Sequence, residues 1–239
     1  MSFDIISRRR SRRAPSDLGD RNTHALETLA SQYRDTRYVD LGVRFGYSSE
    51  ALLKGSEGRR VFVHGFDIDG SRLPDHLRLN PRYEFSSADS VTAGLMWNPA
   101  RSVSILFIDT IHVKEMVLAE LLAWFPHLAP GATIVLHDTH WAPEKFEDFA
   151  GRKWERPEAA VLEFFGLAEL CDFENEDLAI TCLPESNGMT FVRVREPSSF
   201  SNGVHDWETV LKRHREVLEH FSTEEELEWL GVKLPVAPA

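Results

Sequence analysis

The chain has 239 residues, 42% of them hydrophobic, and a formal net charge of −11 at pH 7. That length suits one α/β domain with a sizeable core, and the acidic balance argues against a nucleic-acid partner. No run approaches the roughly 18 apolar residues of a membrane span, no apolar segment follows the basic start as in a signal peptide, and Cys171 and Cys182 stand apart from any disulfide or metal spacing. A cytoplasmic protein without membrane or nucleic-acid partners is the expectation.

Residues 1–20 read as a basic flexible arm carrying Arg8, Arg9, Arg10, Arg12 and Arg13. Such a run is a solvated tail, a contact for an anionic substrate, or a lid over a site. Asn22 or Thr23 then caps a helix with Leu26, Leu29, Ala30 and Tyr33 on one face. From there strands and helices alternate. Strands are expected at Tyr38–Leu41, Val61–Ile68, Tyr83–Ser86 and Ser102–Ile108, with a helix over Asp89–Trp97. After the fourth strand, Val113, Met116, Val117, Leu121, Trp124 and Phe125 form one apolar helix stripe. A Pro130-Gly131 turn leads into a fifth strand, Thr133–Leu136. Such alternation implies a parallel sheet with right-handed crossovers.

The alternation then stops. Leu178–Cys182 and Met189–Val194 flank Pro184-Glu185-Ser186-Asn187-Gly188, and an Asn-Gly between apolar runs signals a hairpin. Trp207, Val210, Leu211, His214, Leu218 and Phe221 fall at helical spacing, and Thr223-Glu224-Glu225-Glu226 resembles a capping box for a last helix ending near Gly231. The division is an arm (1–20), a sheet domain (21–196) and a C-terminal helical extension (197–239), whose apolar faces serve core packing or a homo-oligomer contact.

The densest signal is Asp40-Leu41-Gly42-Val43-Arg44-Phe45-Gly46-Tyr47-Ser48, a strand-turn-helix junction. Its two glycines allow close backbone approach to a ligand. It is not a dinucleotide fingerprint, because Arg44 and Tyr47 stand where the second and third glycines belong. No Tyr-x-x-x-Lys pair supports a nicotinamide enzyme either. Ligands of doubly wound sheets bind at the carboxyl ends of the strands. Those ends carry Asp40, Asp67, Asp89, Asp109 and His137-Asp138. Asp is a common turn and cap residue, which explains any one of them; five in register point to a site.

The acidic-x-Gly-x-x-x-Gly-x-Ser pattern resembles the first motif of class I S-adenosylmethionine-dependent methyltransferases, in particular the catechol O-methyltransferase-like branch. Ile108-Asp109-Thr110-Ile111-His112 followed by Pro130-Gly131-Ala132 and His137-Asp138-Thr139 resembles the Ile-Asp-x-x-His, Pro-Gly-Gly and His-Asp-Thr pattern of a bacterial group related to macrocin O-methyltransferases and cephalosporin-hydroxylase-type proteins. Ala132 replaces the usual second glycine. The resemblance covers residues 37–140, with the hairpin extending it to 195. It implies a Rossmann-like, seven-stranded, mostly parallel sheet ending in an antiparallel hairpin.

The resemblance also assigns roles. Gly42, Gly46 and Ser48 approach the methionine part of the cofactor and Asp40 its ammonium. Asp67 accepts the ribose hydroxyls, Asp89 and Ser90 meet the adenine edge, and Asp109 also contacts the cofactor. Methyl transfer to a hydroxyl asks for alignment and deprotonation. His112 is the expected base, as a group that titrates near neutral pH, with Asp109 and His137 assisting. A divalent metal, Mg²⁺ or Mn²⁺, would be held by Asp109, His137 and Asp138. The imidazole at 137 disfavours Mg²⁺. His140 and Trp141 are expected to touch the acceptor, a small hydroxyl-bearing sugar or natural-product scaffold. A metal-dependent hydrolase or hydroxylase, or a non-catalytic cofactor-binding protein, could use the same scaffold.

Overall fold

The computed structural model describes residues 18–184, 187–200 and 206–221; the arginine run, Glu185, Ser186 and the capping-box segment from Thr223 lie outside them. The strands are β1 (Arg37–Leu41), β2 (Phe62–Asp67), β3 (Tyr83–Ser87), β4 (Val103–Ile108), β5 (Leu128–His137), β6 (Phe173–Glu174), β7 (Leu178–Leu183) and β8 (Met189–Val194). They form one sheet in the order β3-β2-β1-β4-β5-β8-β7-β6. The first five run parallel and the last three are antiparallel to their neighbours. The expected hairpin is therefore β7–β8. The sheet has eight strands rather than seven, because Phe173 and Glu174 pair with Ile180 and Ala179 at the edge.

Helices cover both faces. On one side lie α1 (Asp20–Ala30), α2 (Tyr47–Gly55) and α3 (Asp75–Arg78), whose Leu26, Leu52 and Leu77 are buried with Phe107 and Val135 of the sheet. On the other lie α4 (Ser90–Leu95), α5 (Lys114–Trp124), α6 (Pro143–Ala150), α7 (Glu158–Phe165) and α8 (Trp207–His220), packed over Val39, Leu106 and Ile134. All six residues of β4 are buried, as expected of a central strand covered on both faces. Among the described residues, no helix is long and apolar enough to cross a membrane.

Three local expectations are corrected. The first helix starts at Asp20 with Gly19 before it. Thr23 sits inside the first turn, its hydroxyl donating back to the Gly19 carbonyl at 2.8 Å. Pro130-Gly131 lies within β5, where the register against β4 shifts between Val103 and Ile105; the hydroxyl of Tyr33, which lies beyond the end of α1 rather than on it, donates to the Gly131 carbonyl at 2.9 Å. The α5 stripe is not a stripe. Met116 through Trp124 are all buried, because α7 and α8 pack over the side that would otherwise meet water.

This topology positions the site. β1 has β2 on one side and β4 on the other, so the chain connections leave in opposite directions and open a crevice at the carboxyl ends of β1 and β4.

Candidate active site

The crevice is a cavity of about 410 Å³. Its floor is the turn after β1. Gly42 has φ +84, and a Cβ there would lie 2.1 Å from the carbonyl oxygen of Asp109. Only glycine lets the turn pass so close to the end of β4. Gly46, at φ +82, begins α2, and its own Cβ would strike Leu77. Arg44 between them is also held at positive φ.

Asp67 fixes that turn. Its Oδ2 accepts the amide N–H of Arg44 at 2.8 Å and its Oδ1 that of Asp69 at 3.0 Å. Burial pushes its carboxyl above the usual carboxylate range, against these amide bonds. Asp67 lines the cavity together with Ser48, Asp89, Ser90, Asp109 and His112.

Asp40 is placed differently. It is fully buried beneath the turn, accepting the Ser48 hydroxyl at 2.9 Å and the Ser49 hydroxyl. It is not among the cavity-lining residues, because α2 begins directly over it and supplies both partners. Burial pushes its carboxyl up to about 7, with the serine bonds opposing. Asp89 caps α4 through the Thr92 amide at 2.8 Å, and its other oxygen faces His214 Nε2 of α8 at 3.1 Å. Burial works against its ionisation, but the His214 and Thr92 bonds outweigh it and hold the carboxyl below the usual range.

The ends of β4 and β5 bring four polar groups together. His137 Nδ1 lies 3.1 Å from Asp109 Oδ1 and 3.4 Å from Asp138 Oδ1. His112 Nε2 lies 3.2 Å from Asp138 Oδ2, and its Nδ1 is 3.9 Å from Asp109 Oδ1. Burial alone would raise the Asp109 carboxyl; His137 and then His112 reverse that and hold it low. Asp138 is buried at φ +58, a strained conformation for a residue other than glycine. One donor atom each from Asp109, His137 and Asp138 lies within 4.8 Å of the others. Two carboxylates and one imidazole at that spacing suit a divalent cation of the Mn²⁺ type.

His140 and Trp141 do not line the cavity. His140 turns toward Thr139, whose hydroxyl is 3.0 Å from Nδ1, and its ring occupies the space a Gly188 side chain would need. Trp141 is buried behind His112, ring centroids 6.0 Å apart, and packs on Phe146 and Phe149. Among the wall residues that sequence reasoning missed are three apolar ones, Ile68, Leu218 and Phe221. Ile68 is 52% exposed where it lines the cavity, and its position directly after Asp67 was the available signal. Leu218 and Phe221 reach the cavity from the end of α8, which helical spacing alone cannot show.

Residues 39–139 match a family described as a methyltransferase domain. A comparison with curated proteins finds none that matches. Among solved structures, the chain is similar to an O-methyltransferase from Bacillus cereus in complex with S-adenosylhomocysteine, at 15% identity and TM-score 0.56, covering 74% of this chain and 81% of that one. It is similar to the O-methyltransferase TomG from Streptomyces achromogenes, involved in tomaymycin synthesis and in complex with S-adenosylmethionine, at 14% identity, TM-score 0.56, and 74% and 80% coverage. A third is the S-adenosylhomocysteine-bound methyltransferase PaMTH1 from Podospora anserina, at 13% identity, TM-score 0.56, and 75% and 81% coverage. At such identities the shared property is the fold. With the domain matched over residues 39–139, the chain carries the Rossmann-like fold of S-adenosylmethionine-dependent methyltransferases, with its cavity at the carboxyl ends of the strands.

Proposed function

We propose that the protein is a class I S-adenosylmethionine-dependent methyltransferase that methylates a hydroxyl oxygen of a small molecule, a sugar or natural-product scaffold, with His112 removing the hydroxyl proton. The observation that carries this reading is the seating of His112 on the cavity wall between the carboxylates of Asp138 and Asp109. Likeness in fold to O-methyltransferases supports oxygen as the acceptor atom.

S-adenosylmethionine supplies an activated methyl group on a sulfonium whose sulfur keeps the bonding pair. The residues present fit it. Asp67 receives one amide N–H on each oxygen, which orients the carboxylate and leaves lone pairs for a ribose diol. Gly42 lines the cavity, where its backbone can approach a ligand, and Ile68 offers an apolar wall.

An aliphatic hydroxyl is a poor nucleophile until it loses its proton. His112 Nε2 faces the Asp138 carboxylate at 3.2 Å, which favours the tautomer protonated on Nε2 and leaves a lone pair on Nδ1. That nitrogen accepts the proton as the new carbon–oxygen bond forms, and the resulting imidazolium is stabilised by the two flanking carboxylates. His137, bonded to Asp109, holds that carboxylate in place. A divalent cation held by Asp109, His137 and Asp138 would lower the pKa of a bound hydroxyl, and the imidazole in that set favours Mn²⁺ over Mg²⁺. Trp141 acts on the acceptor only through the His112 ring it supports.

The test is an acceptor screen. Wild type and His112→Ala are incubated with S-adenosylmethionine and a panel of sugars and hydroxylated scaffolds, reading S-adenosylhomocysteine release and the mass of the acceptor. Methylated product with wild type and its loss in the variant support the reading. Cofactor binding with no transfer to any hydroxyl would favour a non-catalytic, cofactor-binding role instead.

A further inference from the structure

The two cysteines, which no spacing in the sequence connects, meet at the edge of the sheet. β6 pairs with β7 antiparallel, Phe173 opposite Ile180 and Glu174 opposite Ala179. Carried two residues further, the same register sets Cys171 opposite Cys182, which still belongs to β7. Contacts on either side of the pairing hold the chain there. Asp172 Oδ1 accepts the Cys182 amide N–H at 2.8 Å, and at the other end the Asn175 amide donates to the Leu178 carbonyl at 2.9 Å. Both cysteines are free thiols, Cys171 exposed and Cys182 half-buried.

Residues directly opposite in an antiparallel pair share a face and have Cα atoms about 4.5–5.5 Å apart. A disulfide requires about 4.4–6.8 Å between Cα atoms, so this pairing meets the requirement without moving the backbone. Cys182 Sγ accepts the Thr190 hydroxyl of β8 at 3.9 Å. Because β7 lies between β8 and β6, a change of staggered rotamer about χ1 turns that sulfur from Thr190 toward Cys171. Burial raises the pKa of the Cys182 thiol against the Thr190 bond, and Asp172 and Cys171 lie near enough to add to the rise.

We propose that Cys171 and Cys182 form a modification site, a dithiol that closes to a cross-strand disulfide and ties the edge strand β6 to β7. The oxidant is a small-molecule disulfide of the glutathione type. The exposed Cys171, as thiolate, attacks one sulfur of glutathione disulfide and expels one glutathione thiolate. The Cys182 thiolate then attacks the Cys171 sulfur of the mixed disulfide and expels the second. The two cysteines give up two protons and two electrons, and one glutathione disulfide becomes two glutathione thiols. Cys171 Sγ donates to Glu169 Oε1 at 3.8 Å, and this acidic setting disfavours the thiolate, so the exchange quickens as pH rises. The bridge acts on a strand of two residues that is paired on one side only, where local opening is least opposed.

The experiment exposes the full chain to glutathione disulfide at about pH 9, then weighs the intact protein by mass spectrometry and maps it by non-reducing digestion. The expected product is a monomer lighter by two hydrogens, with the peptides of Cys171 and Cys182 linked and the change reversed by dithiothreitol. Closing so short a loop should raise Tm by about 5 °C. Cys182→Ser removes the second step, so it should accumulate the mixed disulfide at Cys171 without losing two hydrogens. A wild type that keeps both thiols, stops at glutathione adducts, or forms a covalent dimer overturns the proposal. A bridged monomer that melts no higher than the reduced protein would overturn it too, since the cysteines would then not be opposite in the native sheet.

Discussion

Gly42 and Asp109 touch so closely that a methyl group on the first would sit 2.1 Å from the carbonyl oxygen of the second. This contact couples the turn after β1, the proposed cofactor turn, to the strand end that carries the proposed chemistry. Gly42→Ala combines an unfavourable positive φ with a backbone clash, so it is expected to cost about 1–3 kcal/mol of stability or more. A urea melt of the variant checks this, and affinity for S-adenosylhomocysteine should fall with it. A variant as stable as wild type would mean the turn is not as drawn.

Asp40 makes a pH prediction. Its folded pKa, about 7, lies above the ordinary value of 3.8 that it has in the unfolded chain. A raised folded pKa means that the native state binds the proton more tightly, so this stabilisation is complete below about pH 3.8 and is lost as pH rises toward 7. Asp40→Asn keeps acceptors for Ser48 and Ser49 but cannot ionise. The stability difference, variant minus wild type, should therefore grow between pH 5 and 8, by on the order of a few kcal/mol at most. Melts at both pH values read it; a difference independent of pH would contradict the buried carboxyl.

Where His112 takes the proton, His112→Ala should lower kcat by about 10²- to 10⁴-fold. Its affinity for S-adenosylhomocysteine should stay within a few-fold of wild type. Equal losses in binding and turnover would assign the ring to cofactor binding instead.

The metal-ligand set predicts a stability effect that does not depend on knowing the acceptor. Mn²⁺ at about 100 times its Kd should stabilise the metal-stripped protein by about 2.7 kcal/mol. The effect should disappear in Asp138→Asn and in His137→Ala. A thermal melt with and without Mn²⁺ measures it, and an Mn²⁺ shift retained in both variants would place the ion elsewhere.

Much of this site could be read before the fold was known, for a physical reason. The central strands β4 and β5 end abruptly from buried, largely apolar runs at the water-facing crevice, so Asp109 and His137-Asp138 are marked by the change to polar residues, as Asp67 is after Phe66 at the end of β2. The turn glycines are marked because no other residue tolerates the approach at Gly42. What stayed hidden depends on tertiary partners. The inward face of Glu120 exists only because α7 and α8 cover α5. Phe173–Glu174 is a strand only because Ala179 and Ile180 pair with it. The expectation that His140 and Trp141 meet the acceptor followed from nearness in sequence, whereas the turn after β5 sends one against Gly188 and the other behind His112.

The most direct measurement is calorimetric titration of metal-stripped protein with S-adenosylhomocysteine, with and without Mn²⁺, alongside Asp67→Ala. The account predicts micromolar binding by wild type and a loss of about 10-fold or more in the variant, since that carboxylate holds the Arg44 turn and is the proposed partner of the ribose. Absence of binding under every condition, or equal affinity in the variant, would contradict it.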